Sequence, residues 1–100
     1  MNYLDDLAAA IRSEVAPALI PKEDTTGLFR MDALLVRAKD TAVSGSDVHD
    51  AWAVWALEAK PDHSAIHPFE ALDAGTQAKD EPNVDALQRV ARAVGAVARA

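Results

Sequence analysis

His49 and Trp52 stand three residues apart in a stretch, Val48 to Ala59, whose apolar residues recur at helical spacing. Residues three apart are neighbours on a helix surface, so an imidazole and an indole would lie side by side there. A flat aromatic beside a ring donor is a receptor for a base or a similar planar heterocycle. Trp55 falls on the same broad face, and the plainer reading makes one or both tryptophans core. Asp47, His49 and Asp50 are acid–base types, but Asp47 is placed to cap the helix. His49 and Asp50, being adjacent, point in different directions. His63 and His67 are four apart with Asp62 and Glu70 nearby, a spacing that on a helix would present two imidazoles to a metal. Pro61 and Pro68 oppose an uninterrupted helix there, so these are expected to be loop histidines and no metal site is predicted. The chain has no Gly-x-Ser-x-Gly elbow, phosphate-binding glycine loop or His-Glu-x-x-His motif. No catalytic residue and no cofactor is expected, and the chain does not read as an enzyme.

Charge narrows the partners. Ten Lys and Arg stand against 16 Asp and Glu, a net charge of −6. Affinity for a phosphate backbone comes largely from cationic contacts, so polymeric nucleic acid is not an expected partner. A single small anion in a local cluster of arginines is still open, and Arg30 or Arg37 could supply charge to a ligand site if the second helix packs alongside. Cysteine is absent, which removes disulfides and thiol chemistry. Asn2 to Asp6 lacks the basic start and apolar run of a signal peptide, and no apolar stretch approaches the roughly 20 residues of a membrane span. The expectation is a cytoplasmic protein with no membrane partner.

The elements that must position these residues are helices. Asn2 suits an N-cap and Asp5 and Asp6 suit a first turn. Leu4, Leu7, Ile11 and Val15 form a buried stripe that Pro17 and Pro21 terminate near Ala16. After Thr25, Thr26 and Gly27, the residues Leu28, Met31, Leu34, Leu35 and Ala38 are read as one apolar face. Ser44 followed by Asp47 is a capping-box variant opening the third helix, with Val48, Trp52, Trp55 and Ala59 on one face and Pro61 ending it. Residues 61–82 carry Pro61, Pro68, Gly75 and Pro82 and should be irregular, with Ile66 and Phe69 pinning them to the core and Glu70 to Lys79 allowing short helical turns. A last helix follows Asn83, with Val84, Leu87, Val90, Ala91, Val94 and Val97 inward and Arg89, Arg92 and Arg99 in its later turns. No run alternates apolar and polar residues. The fold class is mostly α: one small four-helix domain over residues 1–100, with an irregular loop between the third and fourth helices.

Residues 46–88 resemble the RyR domain, the repeat of ryanodine receptors that also occurs as single bacterial and phage copies. The family's Val-His-x-x-Trp-Ala core is matched by Val48, His49, Trp52 and Ala53. Its His-Pro-x-x-x-Pro-Tyr-x-x-Leu stretch is matched by His63, Pro68, Phe69 and Leu72, followed by Gln77, Lys79, Asp80 and Leu87. Two departures stand out: Ser64 replaces the first proline, and Leu57 to Asp62 replaces the Gly-Trp-x-Tyr-Gly segment, where the family has a minor hairpin. The resemblance implies a nucleotide-type ligand, with His49 and Trp52 at the site wall and His63 as a third contact. Such repeats pack in pairs, which implies a homodimer for a lone copy. A core short of large side chains points the same way. The expected function is therefore a non-catalytic module that senses or sequesters a nucleotide or nucleotide-derived signal. The rival is a ligand-free helical adaptor that binds another protein or a second copy of itself.

Overall fold

The computed structural model describes residues 2–99, with side chains described as far as Gly95. The chain begins with α1 (Tyr3–Glu14), whose N-cap Asn2 accepts a hydrogen bond from the Asp5 amide at 2.9 Å. Val15 is already extended, and Pro17 opens a 3-10 turn, Pro17–Leu19, in place of further helix. Helix α2 (Thr26–Lys39) starts with Asp24 accepting from both the amide and the hydroxyl of Thr26, rather than with a cap from Thr25. Thr25 is buried, and its hydroxyl accepts from Arg12 at 2.9 Å. Asp40 ends α2 at φ 52°, and a 3-10 turn, Asp40–Ala42, follows.

Helix α3 (Gly45–Ala59) carries the capping box read from the sequence. Ser44 Oγ accepts from the Asp47 amide, and the Asp47 carboxylate accepts from the Ser44 amide. After a loop come the 3-10 turn Phe69–Ala71, the short helix α4 (Ala74–Ala78) and the long helix α5 (Glu81–Arg99). The last helix starts before the expected Asn83 because Pro82 falls in its first turn, where no amide partner is needed. Four long helices and an irregular connection make this a mostly α, four-helix fold, with no strand among the described residues.

The minor hairpin that the resemblance left open between the third and fourth long helices is absent from the described residues. Short-range bonds fold the segment into turns: the His63 amide donates to Lys60 O, Ile66 to His63 O and His67 to Ala65 O. These close the backbone on itself and leave no extended pair. No helix among the described residues is long and apolar enough to cross a membrane.

Helix α2 sits centrally, packing on α1, α3 and α5. The main apolar cluster joins Leu7, Ile11 and Val15 of α1, Phe29, Ala33 and Val36 of α2, Val43, Val48, and Leu87, Val90 and Ala91 of α5. A second cluster joins Leu28 of α2 to Trp55 and Ala56 of α3, with Trp52 and Ile66 packed against it.

Two expected faces are corrected. The buried stripe of α2 is Leu28, Phe29, Asp32, Ala33 and Val36, while Leu34 and Ala38 are exposed. The apolar pattern was phased away from Asp32, a charged residue that in fact lies at the centre of the buried face. In α5 Leu87, Val90 and Ala91 are buried but Val94 is exposed. Val97 and Arg99 lie outside the described side chains.

Candidate functional site

A cleft of about 250 Å³ opens where the two apolar clusters meet. Val15, Phe29 and Val48 line it from the first cluster, and Leu28 and Trp52 from the second. Its polar lining comes from three elements: Asp32 on α2, His49 on α3, and Lys79, Asp80 and Asn83 at the α4–α5 junction, with His63 and Thr76 at its side. The aromatic pair is real in three dimensions. The His49 and Trp52 rings lie 5.5 Å apart and 29° from parallel, and the His63 ring meets Trp52 edge-on at 4.9 Å.

His49 is buried in an internal network. Its Nε2 donates to the His67 carbonyl at 2.7 Å, which ties the 61–73 loop to α3, and its Nδ1 lies 3.7 Å from the Asp80 carboxylate. Partial burial raises the pKa of Asp80, and the nearby His49 opposes that rise. Phe69 backs the His49 ring at 6.1 Å. Phe69 can sit there because Gly45 has no side chain: a Cβ at Gly45 would lie 2.9 Å from the Phe69 ring edge. His63 is exposed and its Nδ1 accepts from the Ala65 amide at 3.1 Å, which puts the proton of the neutral ring on Nε2.

The group missed in the sequence is Asp32. It is only 5% exposed, it lines the cleft, and its Oδ1 is sealed from solvent with no hydrogen-bond partner among the described residues. Burial pushes its carboxyl up to about 7 from an ordinary 3.8, with no ion pair acting on it. The sequence did carry a signal, namely an acidic residue at i+4 from Leu28 and i−4 from Val36 within an apolar stripe. A buried carboxylate without a partner is strongly disfavoured and calls for a specific explanation.

The remaining expected residues divide cleanly. His49, Trp52 and His63 come together at the cleft, whereas Arg30 and Arg37 do not. Arg30 forms a two-pronged pair with Asp5 of α1, its Nε 2.7 Å from Oδ1, and Arg37 lies over the Tyr3 ring at 5.5 Å. Both project from the α2 face opposite the cleft side, as its helical phase dictates. Trp55 is structural: it is buried, its indole donates to the Asp24 carbonyl at 2.8 Å, and the Lys60 ammonium rests over its ring. Among the described residues no group of three His, Asp or Glu is placed to hold a metal.

The fold and the cleft define a small four-helix protein with a mixed aromatic and acidic hollow at its side. Residues 2–92 match the family described as a domain of unknown function (DUF7701), and the chain belongs to that family. The resemblance to the RyR domain is thereby overturned. It rested on two short blocks, one of them a His-x-x-Trp spacing that any amphipathic helix can present, and the intervening hairpin is missing. No curated protein and no solved structure matches the chain.

Proposed function

We propose that this protein is a non-catalytic binding module whose cleft takes a small planar heterocycle, of the kind carried by nucleotides and nucleotide-derived signals. The observation that supports this most directly is the buried, unpartnered Asp32 facing the same hollow as Trp52, His49 and His63. An aromatic wall with a few convergent polar groups is the usual make-up of a small-molecule site. A volume of about 250 Å³ suits a ring system better than a whole nucleotide, since pockets for drug-sized ligands span roughly 300–1,000 Å³. The sugar and phosphates of a nucleotide would then extend outward. Lys79 is the one Lys or Arg among the described lining residues that could meet a phosphate.

Binding without chemistry is favoured by the state of His49. One of its nitrogens is held by the His67 carbonyl and the other faces Asp80, so the ring is a wall rather than a free base. A ligand that binds only the folded state raises apparent stability by mass action. Thermal shift against nucleobases, nucleosides, mononucleotides and cyclic nucleotides therefore tests the reading, followed by calorimetry on Trp52→Ala. Loss of stacking, typically worth roughly 1–3 kcal/mol, should lower affinity from about fivefold to more than a hundredfold. Unchanged affinity with an intact helical signal would move the site elsewhere.

A second reading, self-association, is favoured by apolar side chains left on the outside. Val54 and Leu57 stand one turn apart on the outer face of α3, 52% and 57% exposed, and Leu34 of α2 is 53% exposed. On this reading the protein is a cytoplasmic homodimer, and its exposed leucines and valine are interface anchors. Sedimentation tests that directly.

A further inference from the structure

The chemistry of the cleft names the edge by which its ligand is held. This step rests on the binding reading above. Asp32 sits on the central helix, where Leu28, Phe29, Ala33 and Val36 surround it with hydrocarbon, and no described residue donates to its Oδ1. Asp32 lines the cleft, but its Oδ1 is sealed in the unliganded fold, so a contact to both oxygens requires a part-turn about the carboxylate's terminal torsion, which is soft. Asp80, the second carboxylate of the lining, is already turned toward His49. Once Asp32 is ionised, two carboxylates against one lysine make the hollow repel an anion placed at its centre. They favour instead a donor-bearing or cationic group. The Trp52 ring, on which the His49 and His63 rings already pack, is the aromatic part of the wall, and a flat occupant packs best on such a wall.

We propose that the cleft recognises a planar heterocycle through an amidine-type edge, a ring N–H beside an exocyclic amino group, paired with the Asp32 carboxylate and packed against Trp52. Two parallel N–H donors on a carboxylate form a bidentate, charge-assisted pair, the arrangement in which a buried carboxylate has its strongest partners. The guanine edge and the 2-aminoimidazole edge both have this form. The adenine edge does not, because beside its exocyclic amine it presents an acceptor.

The test uses matched probes on the wild-type chain, so it does not depend on a variant folding. 2-Aminobenzimidazole carries the edge, while 2-methylbenzimidazole has the same outline without the amine. Guanosine and inosine form a second pair differing in the 2-amino group. Binding is followed by the Trp52 indole resonance in nitrogen–proton NMR spectra. The amino member of each pair should bind at least about tenfold more tightly, the discrimination expected when a charged hydrogen-bonding group would otherwise stay unpaired. Asp32→Asn, checked by circular dichroism, should remove that preference by placing an amide donor against the ligand's donors. Equal binding of both members, with the Trp52 resonance still moving, would overturn the amidine edge and leave the planar-heterocycle reading standing. Retention of the preference in Asp32→Asn would overturn the role of Asp32. A Trp52 resonance unmoved by every probe would overturn both readings.

Discussion

Replacing Asp32 by Asn isolates what an unpartnered buried carboxyl does to this fold. In the folded chain burial pushes the Asp32 carboxyl up to about 7, and in the unfolded chain it returns to its ordinary 3.8. Between those pH values the folded state holds a proton that the unfolded state has released. Stability therefore falls as pH rises through this window, by about 1.4 kcal/mol per pH unit. The shift of about three units amounts to about 4 kcal/mol, absent below pH 4 and complete above pH 7. The charged and titratable groups that share the cleft are His49, His63, Lys79 and Asp80, but desolvation alone accounts for the Asp32 shift. Asp32→Asn removes the slope. Its amide is about as short of partners as the neutral carboxyl it replaces, so that cost largely cancels. The variant should consequently match wild type to within about 1 kcal/mol at pH 4.5 and be more stable by up to about 4 kcal/mol at pH 8. Urea denaturation from pH 4.5 to 8, followed by circular dichroism, measures both. Groups such as Asp24, held low by hydrogen bonds from Thr26, and Asp73, held low by Thr76, cancel in the difference. A difference between the two proteins that stays constant across this range would refute the reasoning, because Asp32 would then be solvated or paired.

Trp55→Ala should destabilise the fold by about 3–5 kcal/mol, the usual range for a buried aromatic, and by more than Trp52→Ala, whose indole is only partly buried. Chemical denaturation of the two variants checks the order, and a larger loss for Trp52→Ala would make Trp52 core rather than cleft wall. Asp40→Gly should raise stability by about 1 kcal/mol, since Asp40 holds a positive φ that glycine adopts without strain. An unchanged or lower denaturation midpoint would contradict that conformation. If the exposed face of α3 is an interface, sedimentation at micromolar concentration should show twice the 10.6 kDa chain mass. A lone 10.6 kDa species would rule out the homodimer.

The helices themselves were legible in the sequence because their signals are local. A cap such as Asn2 or Ser44 acts on amides three residues away, and a proline acts on its own turn, so α1 and α3 begin where the residues say. His49 and Trp52 were likewise legible as neighbours, because helical geometry alone sets their proximity. The position of His63 against Trp52, the loop's attachment through the His67 carbonyl and the placement of Asp80 beside His49 all depend on how a segment without periodicity folds back. No local rule specifies that. The arginines show the same limit from the other side: Arg30 and Arg37 carry the right charge, but the packing of α2 on α1 turned them toward Asp5 and Tyr3. Asp32 was hidden for a different reason. A periodicity reading assigns charged residues to the solvent face, so it rotated α2 away from Asp32, the one fully buried acid among the described residues. Its burial follows from where α1, α3 and α5 close around α2, a property of the assembled fold and not of any window along the chain.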